Sequence, residues 1–356
     1  MNKNFWNKKK VLLTGHTGFK GSWLSLCLQK LNADVVGFSK SIPTNPSMFE
    51  LANIENGMTS IMGNISDYDK LKGVIKEYKP EIVIHMAAQA ILRESYHDPI
   101  ETYATNIMGT VNLFESIRKV GNVKVIVNIT TDKCYLPNES SKSHIETDRL
   151  GGYDPYSSSK ACSELITSSY RNSFFNPKEY EKHGISIASC RAGNVIGGGD
   201  WAKDRLIPDI MKGIMNNQTI KIRNPNSIRP WQHVLDPLNG YLSLVEKLWI
   251  SGSEYSEGWN FGPLENDEKP VKWIVEKLIE QCSKNIKYEI DDCYNPHEEN
   301  YLRLNCKKAN TKLNWIPKLK LEEGLKWITE WYSQYEENKN MREVTEQQIE
   351  KFQKLL

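Results

Sequence analysis

Val11-Leu12-Leu13-Thr14-Gly15-His16-Thr17-Gly18-Phe19-Lys20-Gly21-Ser22-Trp23-Leu24 joins a short apolar run, through three glycines, to a segment with helical spacing. Gly15 permits a tight turn, Gly18 lets main chain approach a pyrophosphate, and Gly21 lets helix and strand pack closely. The N-terminus of the helix that follows attracts negative charge. Thr17 and Phe19 fill the turn between them. Apolar runs of strand length recur at 35–38, 82–85, 125–129 and 185–190. Between them lie helical patterns such as Trp23, Leu24, Cys27, Leu28 and Leu31, or Val111, Leu113, Phe114 and Ile117. Runs that are apolar throughout, rather than at alternate positions, belong to strands covered on both faces. The fold expected is α/β, a doubly wound parallel Rossmann sheet with a smaller mixed α/β domain. Residues 1–190 are expected to form the dinucleotide-binding domain, with part of 230–265 returning to it. Residues 191–335 would form the discontinuous substrate domain, and the Glu/Lys/Asn-rich stretch 336–356 a solvated or frayed helical tail.

The 356 residues carry 46 basic and 44 acidic side chains, a net charge of +2. That balance argues against a nucleic-acid binder and for a small-molecule partner. Seven cysteines, an odd number without a C-x-x-C pair, suggest neither disulfide framework nor metal site and fit a reducing cytoplasm. No stretch has the length of a membrane span.

Chemistry is concentrated in two stretches, Thr131-Asp132-Lys133-Cys134-Tyr135 and Tyr156-Ser157-Ser158-Ser159-Lys160. Residues four apart on a helix share a face, so Tyr156 and Lys160 reach one pocket. There an ammonium would lower the tyrosine pKa and let Tyr156 take a hydroxyl proton as hydride leaves the same carbon, while Lys160 holds a cofactor ribose. After the second apolar run stands Phe38-Ser39-Lys40, with no acid to repel a 2'-phosphate, so these residues leave NAD and NADP both open. Asn64 and Ile65, in Gly63-Asn64-Ile65-Ser66-Asp67, fit an adenine-contacting turn, with Asp67 more suited to capping the next helix. His85 reads as a packed histidine, and Ala87 and Ala88 as residues that keep a cofactor crevice narrow.

The spacing G-x-x-G-x-x-G resembles that of short-chain dehydrogenase/reductase enzymes, and the likeness extends further. Asp132-Lys133 at a strand end is similar to the cytidine-linked nucleotide-sugar dehydratases, where simple reductases and epimerases place small residues. His85-Met86-Ala87-Ala88-Gln89, Asn106 with Gly109 and Thr110, Arg191 to Asp209, Arg229 to Asp236 and Asn260-Phe261-Gly262-Pro263 resemble the same family, the CDP-glucose 4,6-dehydratases. The resemblance implies an NAD-dependent lyase that converts CDP-D-glucose to its 4-keto-6-deoxy derivative. Oxidation at C4 acidifies the C5 hydrogen, water leaves across C5 and C6, and hydride returns to C6. Asp132 would protonate the departing 6-hydroxyl, Thr131 would hold the C4 oxygen, and Lys133 would take the C5 proton or orient Asp132. Gln89 and Asn106 would touch the cofactor, and Gln89, Asn194, Trp201, Arg205, Arg229 and His233 the nucleotide sugar, with Arg229 the best phosphate ligand. Main-chain amides after Gly197-Gly198-Gly199 would assist. Pairing into a homodimer through residues 99–118 and 156–175 is also implied. A nucleotide-sugar 4-epimerase or reductase, or a non-catalytic NAD(P)-sensing protein, are the competing expectations.

Overall fold

In the computed structural model, which describes residues 1–137, 142–291 and 303–356, the apolar runs assemble into a seven-stranded sheet. Six strands come in chain order: β1 (Lys10–Thr14), β2 (Asp34–Ser39), β3 (Thr59–Met62), β4 (Ile82–His85), β5 (Val125–Ile129) and β6 (Ser186–Ala192). The seventh, Gly258–Phe261, pairs with β6 at one edge, and the order runs from it through β6, β5, β4, β1 and β2 to β3. All pairings are parallel. Alternate residues of one strand face opposite ways, and both ways are covered. Leu12, Val36, Val83 and Ile126 enter one apolar cluster, whereas Val11, Leu13, Val35, Ile82 and Ile84 enter another. The order reverses between β1 and β4, so the helices that follow these strands leave to opposite faces and a crevice opens at their carboxyl ends.

Two strands escape the periodicity. The edge strand β3 is half exposed, and Gly258–Phe261 is a four-residue stretch of Gly, Trp, Asn and Phe without an aliphatic run. Beyond β6 the chain forms short paired strands, Val195–Ile196 with Gln232–His233, Ile228–Pro230 with Glu268–Pro270, and Ile220–Ile222 with Tyr288–Ile290. The helices Leu206–Met215, Val271–Gln281 and Leu321–Glu336 pack around them. Their apolar residues belong to the cluster that covers one face of the main sheet.

The C-terminal stretch departs from the expectation of a solvated tail. Its helix, Met341–Gln353, buries Met341, Val344, Thr345, Gln348, Ile349 and Phe352, a face of three- and four-residue spacings that its many charged residues obscure. Thr345 accepts a 2.9 Å hydrogen bond from the Trp331 indole, and Gln348 donates to the Trp327 carbonyl. The six described cysteines are free, and Cys293 lies outside the described residues. No helix among the described residues is long and apolar enough to cross a membrane.

Candidate active site

Two cavities meet above the carboxyl ends of the sheet. The larger, about 760 Å³, runs along the glycine turn and the ends of β2, β4 and β5. The smaller, about 320 Å³, lies between the end of β5 and the short strands of the second half. Tyr156, Lys20 and Arg205 line both.

The glycine turn is built as its sequence requires. Gly15 has φ +77°, and a Cβ on it would stand 2.7 Å from the Ala87 amide nitrogen; a Cβ on Gly21 would stand 2.1 Å from the Gly15 carbonyl oxygen. Gly18 caps the twelve-residue helix Phe19–Lys30 without a side chain, so first-turn N–H groups lack a side-chain cap. Such amides beside an enclosed cleft fit the pyrophosphate of a dinucleotide. Gly15, Thr17, Gly18, Phe19, Gly21, Ser39, Lys40, Asn64, Ile65, Ala87, Ala88 and Gln89 line this cavity with Tyr156 and Lys160. Asn64 accepts from the Ser66 amide at 3.0 Å, and Asp67 caps the next helix by accepting from Lys70 N. His85 is buried between the hydroxyls of Thr14, at 2.7 Å, and Thr110, at 3.3 Å, and burial pushes its pKa down to about 3.

Asn106 does not line the cleft. It sits buried in a π-helical turn, Ala104–Met108, where its Oδ1 accepts from the Gln89 amide at 2.9 Å and its Nδ2 donates to the Gln89 carbonyl and to Ser159 Oγ. It therefore acts on the cleft by holding the main chain of Gln89. Lys40, expected to stand without an acid nearby, pairs at 2.7 Å with Glu101, which lines the same cavity.

The residues expected to be catalytic are positioned by local capping. Asp154 accepts from the Ser157 amide at 2.9 Å, and Pro155 takes the first position of the helix Pro155–Ser173, which starts so that Tyr156 and Lys160 face the sheet. Lys160 Nζ donates to the Ile129 carbonyl at 3.3 Å. Burial lowers its pKa to about 8, with the Lys20 charge acting the same way and Glu164 opposing. For Tyr156 the expected lowering by Lys160 does not prevail. Burial pushes the phenol up to about 12, while the Thr131 hydrogen bond and the Arg205 charge pull it down. Thr131 caps the short 3-10 turn Asp132–Cys134 and donates to Asp132 Oδ1 at 2.9 Å. Asp132 is buried, and its Oδ2 has no hydrogen-bond partner. Burial holds its carboxyl above the ordinary range against Lys133, Thr131 and Arg229. Lys133 is half-buried and lines the smaller cavity, and its charge bears on Asp132.

Beneath this wall lies a network that the sequence did not reveal. Glu164, one turn beyond Lys160, accepts from Thr130 Oγ1 at 2.5 Å, Ser189 Oγ at 2.6 Å and Arg191 at 2.8 Å. It thereby ties the end of β5 to β6 immediately before Thr131. Its signal in the sequence is positional, an acid on the Tyr156/Lys160 face of an otherwise Ser-rich helix.

The smaller cavity gathers Asn194, Arg205 and Arg229 with Arg93, Lys221 and Arg223, three cations that no motif had singled out. Arg205 pairs with Asp200 at 3.1 Å, and Arg93 and Arg223 with Asp204. Three residues expected at the substrate do not line the smaller cavity. His233 is 2% exposed, packed edge-on between Trp23 and Trp327, with burial driving its pKa down to about 3; its strand turns it into the core. Trp201 lines the larger cavity and stacks edge-on against Tyr332 and Tyr335. Gln89 too lines only the larger cavity, its amide engaged by Thr102 and Ile91. The glycine run packs closely on the core: a Cβ on Gly198 would stand 2.2 Å from the Trp331 ring. Among the described residues no cluster of metal-ligating side chains occurs.

Comparison with known proteins agrees with this geometry. The family model described as GDP-mannose 4,6 dehydratase matches residues 12–328. The CDP-glucose 4,6-dehydratase of Salmonella typhimurium is 52% identical over 98% of this chain and 97% of its own length. The human dTDP-D-glucose 4,6-dehydratase is 26% identical over 95% of this chain and 94% of its own. Among solved structures, the dTDP-glucose 4,6-dehydratase of Bacillus anthracis in complex with NAD superposes with a TM-score of 0.76 at 25% identity, covering 92% of this chain and 98% of that one. An epimerase from Methanothermobacter thermautotrophicus, 24% identical and matched over 96% of both chains, reaches 0.82 and shares the fold. With a family match across most of its length and a relative identical at half its positions, this chain belongs to the GDP-mannose 4,6 dehydratase family of nucleotide-sugar enzymes.

Proposed function

We propose that this protein is an NAD-dependent CDP-glucose 4,6-dehydratase, releasing water from CDP-D-glucose to leave the 4-keto-6-deoxy sugar. The observation that carries the reading is the unpartnered Oδ2 of buried Asp132, which lines the cation-rich cleft with Thr131 and with Tyr156, the last of these lining the larger cleft as well. The 52% identity to the Salmonella enzyme of that name supports the same substrate.

NAD held along the glycine turn, Ser39, Ala87 and Lys160 would supply a reversible hydride acceptor. Tyr156 takes the proton of the 4-hydroxyl, and Lys160 holds the cofactor ribose and keeps a positive charge near the phenolate. Asp132, whose burial favours the protonated carboxyl, gives its proton to the 6-hydroxyl as water departs. Lys133 receives the C5 proton. Arg229, with Arg223 behind it, binds the diphosphate, and Asn194 the sugar. Residues 1–190 with the returning strand act as the cofactor domain, and 191–335 carry the sugar site.

A homodimer through residues 99–118 and 156–175 is part of this reading. Ile100, Met108 and Leu165 are exposed apolar side chains on neighbouring helices of that face. The free thiols suit a reducing cytoplasm. The decisive experiment is mass spectrometry of CDP-glucose, and of other nucleotide hexoses, after incubation with the protein and NAD or NADP. Loss of one water, abolished in Tyr156→Phe, is expected with CDP-glucose. An isomer of unchanged mass would mean epimerisation and would overturn the reading.

A further inference from the structure

The second residue of the helix after the glycine turn is Lys20, a charged side chain where close packing on the sheet would favour an apolar one. It is partly buried, and its charge is surrounded by those of Arg205, Asp132, Asp200 and Lys160. No described residue forms a hydrogen bond or ion pair with its ammonium. Of the residues that line both cavities, Lys20 and Arg205 are the cations; Arg205 is committed to Asp200 at 3.1 Å, and Lys20 is not committed. Enclosing an unpaired cation costs free energy, and burial with the Arg205 charge lowers its pKa to about 8. Tyr156 lines the same junction.

The reaction proposed above creates negative charge at one oxygen. When the C5–H bond breaks, its proton passes to the Lys133 side chain, its electron pair forms the C4–C5 double bond, and the carbonyl pair moves onto the C4 oxygen. The enolate then re-forms the C4 carbonyl, its C4–C5 pair becomes a C5–C6 double bond, and the C6–O bond breaks, the 6-hydroxyl leaving as water with the proton from Asp132. The C4 oxygen is the one Tyr156 deprotonates, so it lies at the junction where Lys20 stands. We infer that Lys20 is a catalytic residue of the elimination step, its ammonium bearing on the C4 oxygen as that oxygen becomes anionic. Charge placed in advance where the transition state needs it is worth far more in such a cleft than in water.

This inference rests on the dehydratase reading, and the test separates the two. Wild type, Lys20→Met and Lys20→Arg, each as full chain with NAD, are given CDP-glucose in deuterium oxide. Nicotinamide absorbance reports C4 oxidation, and mass spectrometry reports C5 exchange and water loss. Lys20→Met is expected to reduce NAD on mixing and to accumulate the reduced form. Its kcat for water loss should fall on the order of 100- to 1,000-fold, C5 exchange should slow in parallel, and KM should stay within about threefold. Lys20→Arg should recover at least about tenfold of that loss. An unshifted or raised thermal midpoint in Lys20→Met excludes misfolding, since an apolar side chain replaces a poorly solvated charge. Water loss at the wild-type rate, a rise in KM alone, or an equal loss of oxidation and elimination would each overturn the role of Lys20. A wild type that reduces NAD with CDP-glucose but releases no water would overturn the dehydratase reading itself.

Discussion

The two clefts that meet at Tyr156 are made in different ways. The larger is a property of main chain: a strand end, three glycines and the N-terminus of a helix within a dozen consecutive residues. The smaller is a property of side chains drawn from distant segments, Arg93, Asp132, Arg205, Arg223 and Arg229 among them, each placed by a different element or loop. A main-chain site tolerates little change at its glycines and much in between. The side-chain site should instead lose function one interaction at a time.

The largest expected effect strikes both clefts together. Glu164→Gln leaves the Arg191 guanidinium without its buried counter-charge below β5 and β6, which costs about 3–5 kcal/mol. Glu164 has its pKa lowered by Arg191 and by its hydrogen bonds, against burial. Its contribution is thus fully present above the ordinary carboxylate range and is lost as pH falls through the lower folded value. Denaturant melts of wild type and variant between neutral and acid pH check both signs: the gap should narrow on acidification.

Next comes a change meant for one cleft. Gly21→Ala puts a Cβ 2.1 Å from the Gly15 oxygen, so the turn must move by about 1 Å, a displacement of the size that costs on the order of 100-fold. Calorimetric NAD affinity should fall by that factor while affinity for CDP stays near wild type. Equal losses of both would mean that the two clefts are one unit.

Legibility follows the same division. Five of the seven sheet strands and the glycine turn are written in consecutive residues, where apolar runs and small residues leave few alternatives. The edge strand Thr59–Met62 is not, because half-exposed strands lack a continuous run. In the site, Tyr156 and Lys160 were found through one helical spacing, and Thr131 and Asp132 through their place after an apolar strand. Arg93 and Arg223 carry no local pattern, since their partners are remote in sequence, and Glu164 carries only its place one turn beyond Lys160. His233 was misplaced for the converse reason: a histidine beside Arg229 reads as polar, but a strand residue four positions on turns into the core between two tryptophans.

A smaller effect sharpens the side-chain half of the contrast. Arg229→Met should raise KM for CDP-glucose about tenfold, the size of one charged hydrogen bond, and leave NAD binding unchanged. Arg229 also draws the Asp132 pKa down. Without it the carboxyl retains its proton to higher pH, so the alkaline limb of kcat should shift upward. Steady-state kinetics across pH measure both; a shift downward would mean that Asp132 does not act as the acid.

The smallest effect belongs at the rim of the larger cleft. Lys40 stands where a 2'-phosphate would lie, and by itself it would welcome NADP. Its partner Glu101 comes from the helix Pro99–Tyr103, sixty-one positions along, and faces the same cavity. A phosphate there would meet a carboxylate and would have to displace it from the lysine, so the fold supplies the acid that the end of β2 lacks. The pair is solvent-exposed, 59% and 36%, and such pairs contribute about 0–1 kcal/mol. Lys40→Ala should therefore change NAD affinity by no more than about threefold, whereas Glu101→Gln frees the lysine and should improve NADP relative to NAD by a similar small factor. Competition binding of the two dinucleotides measures this ratio, and if Glu101→Gln left it unmoved, selection would have to lie in the main-chain part of the cleft, with Ser39 and the turn.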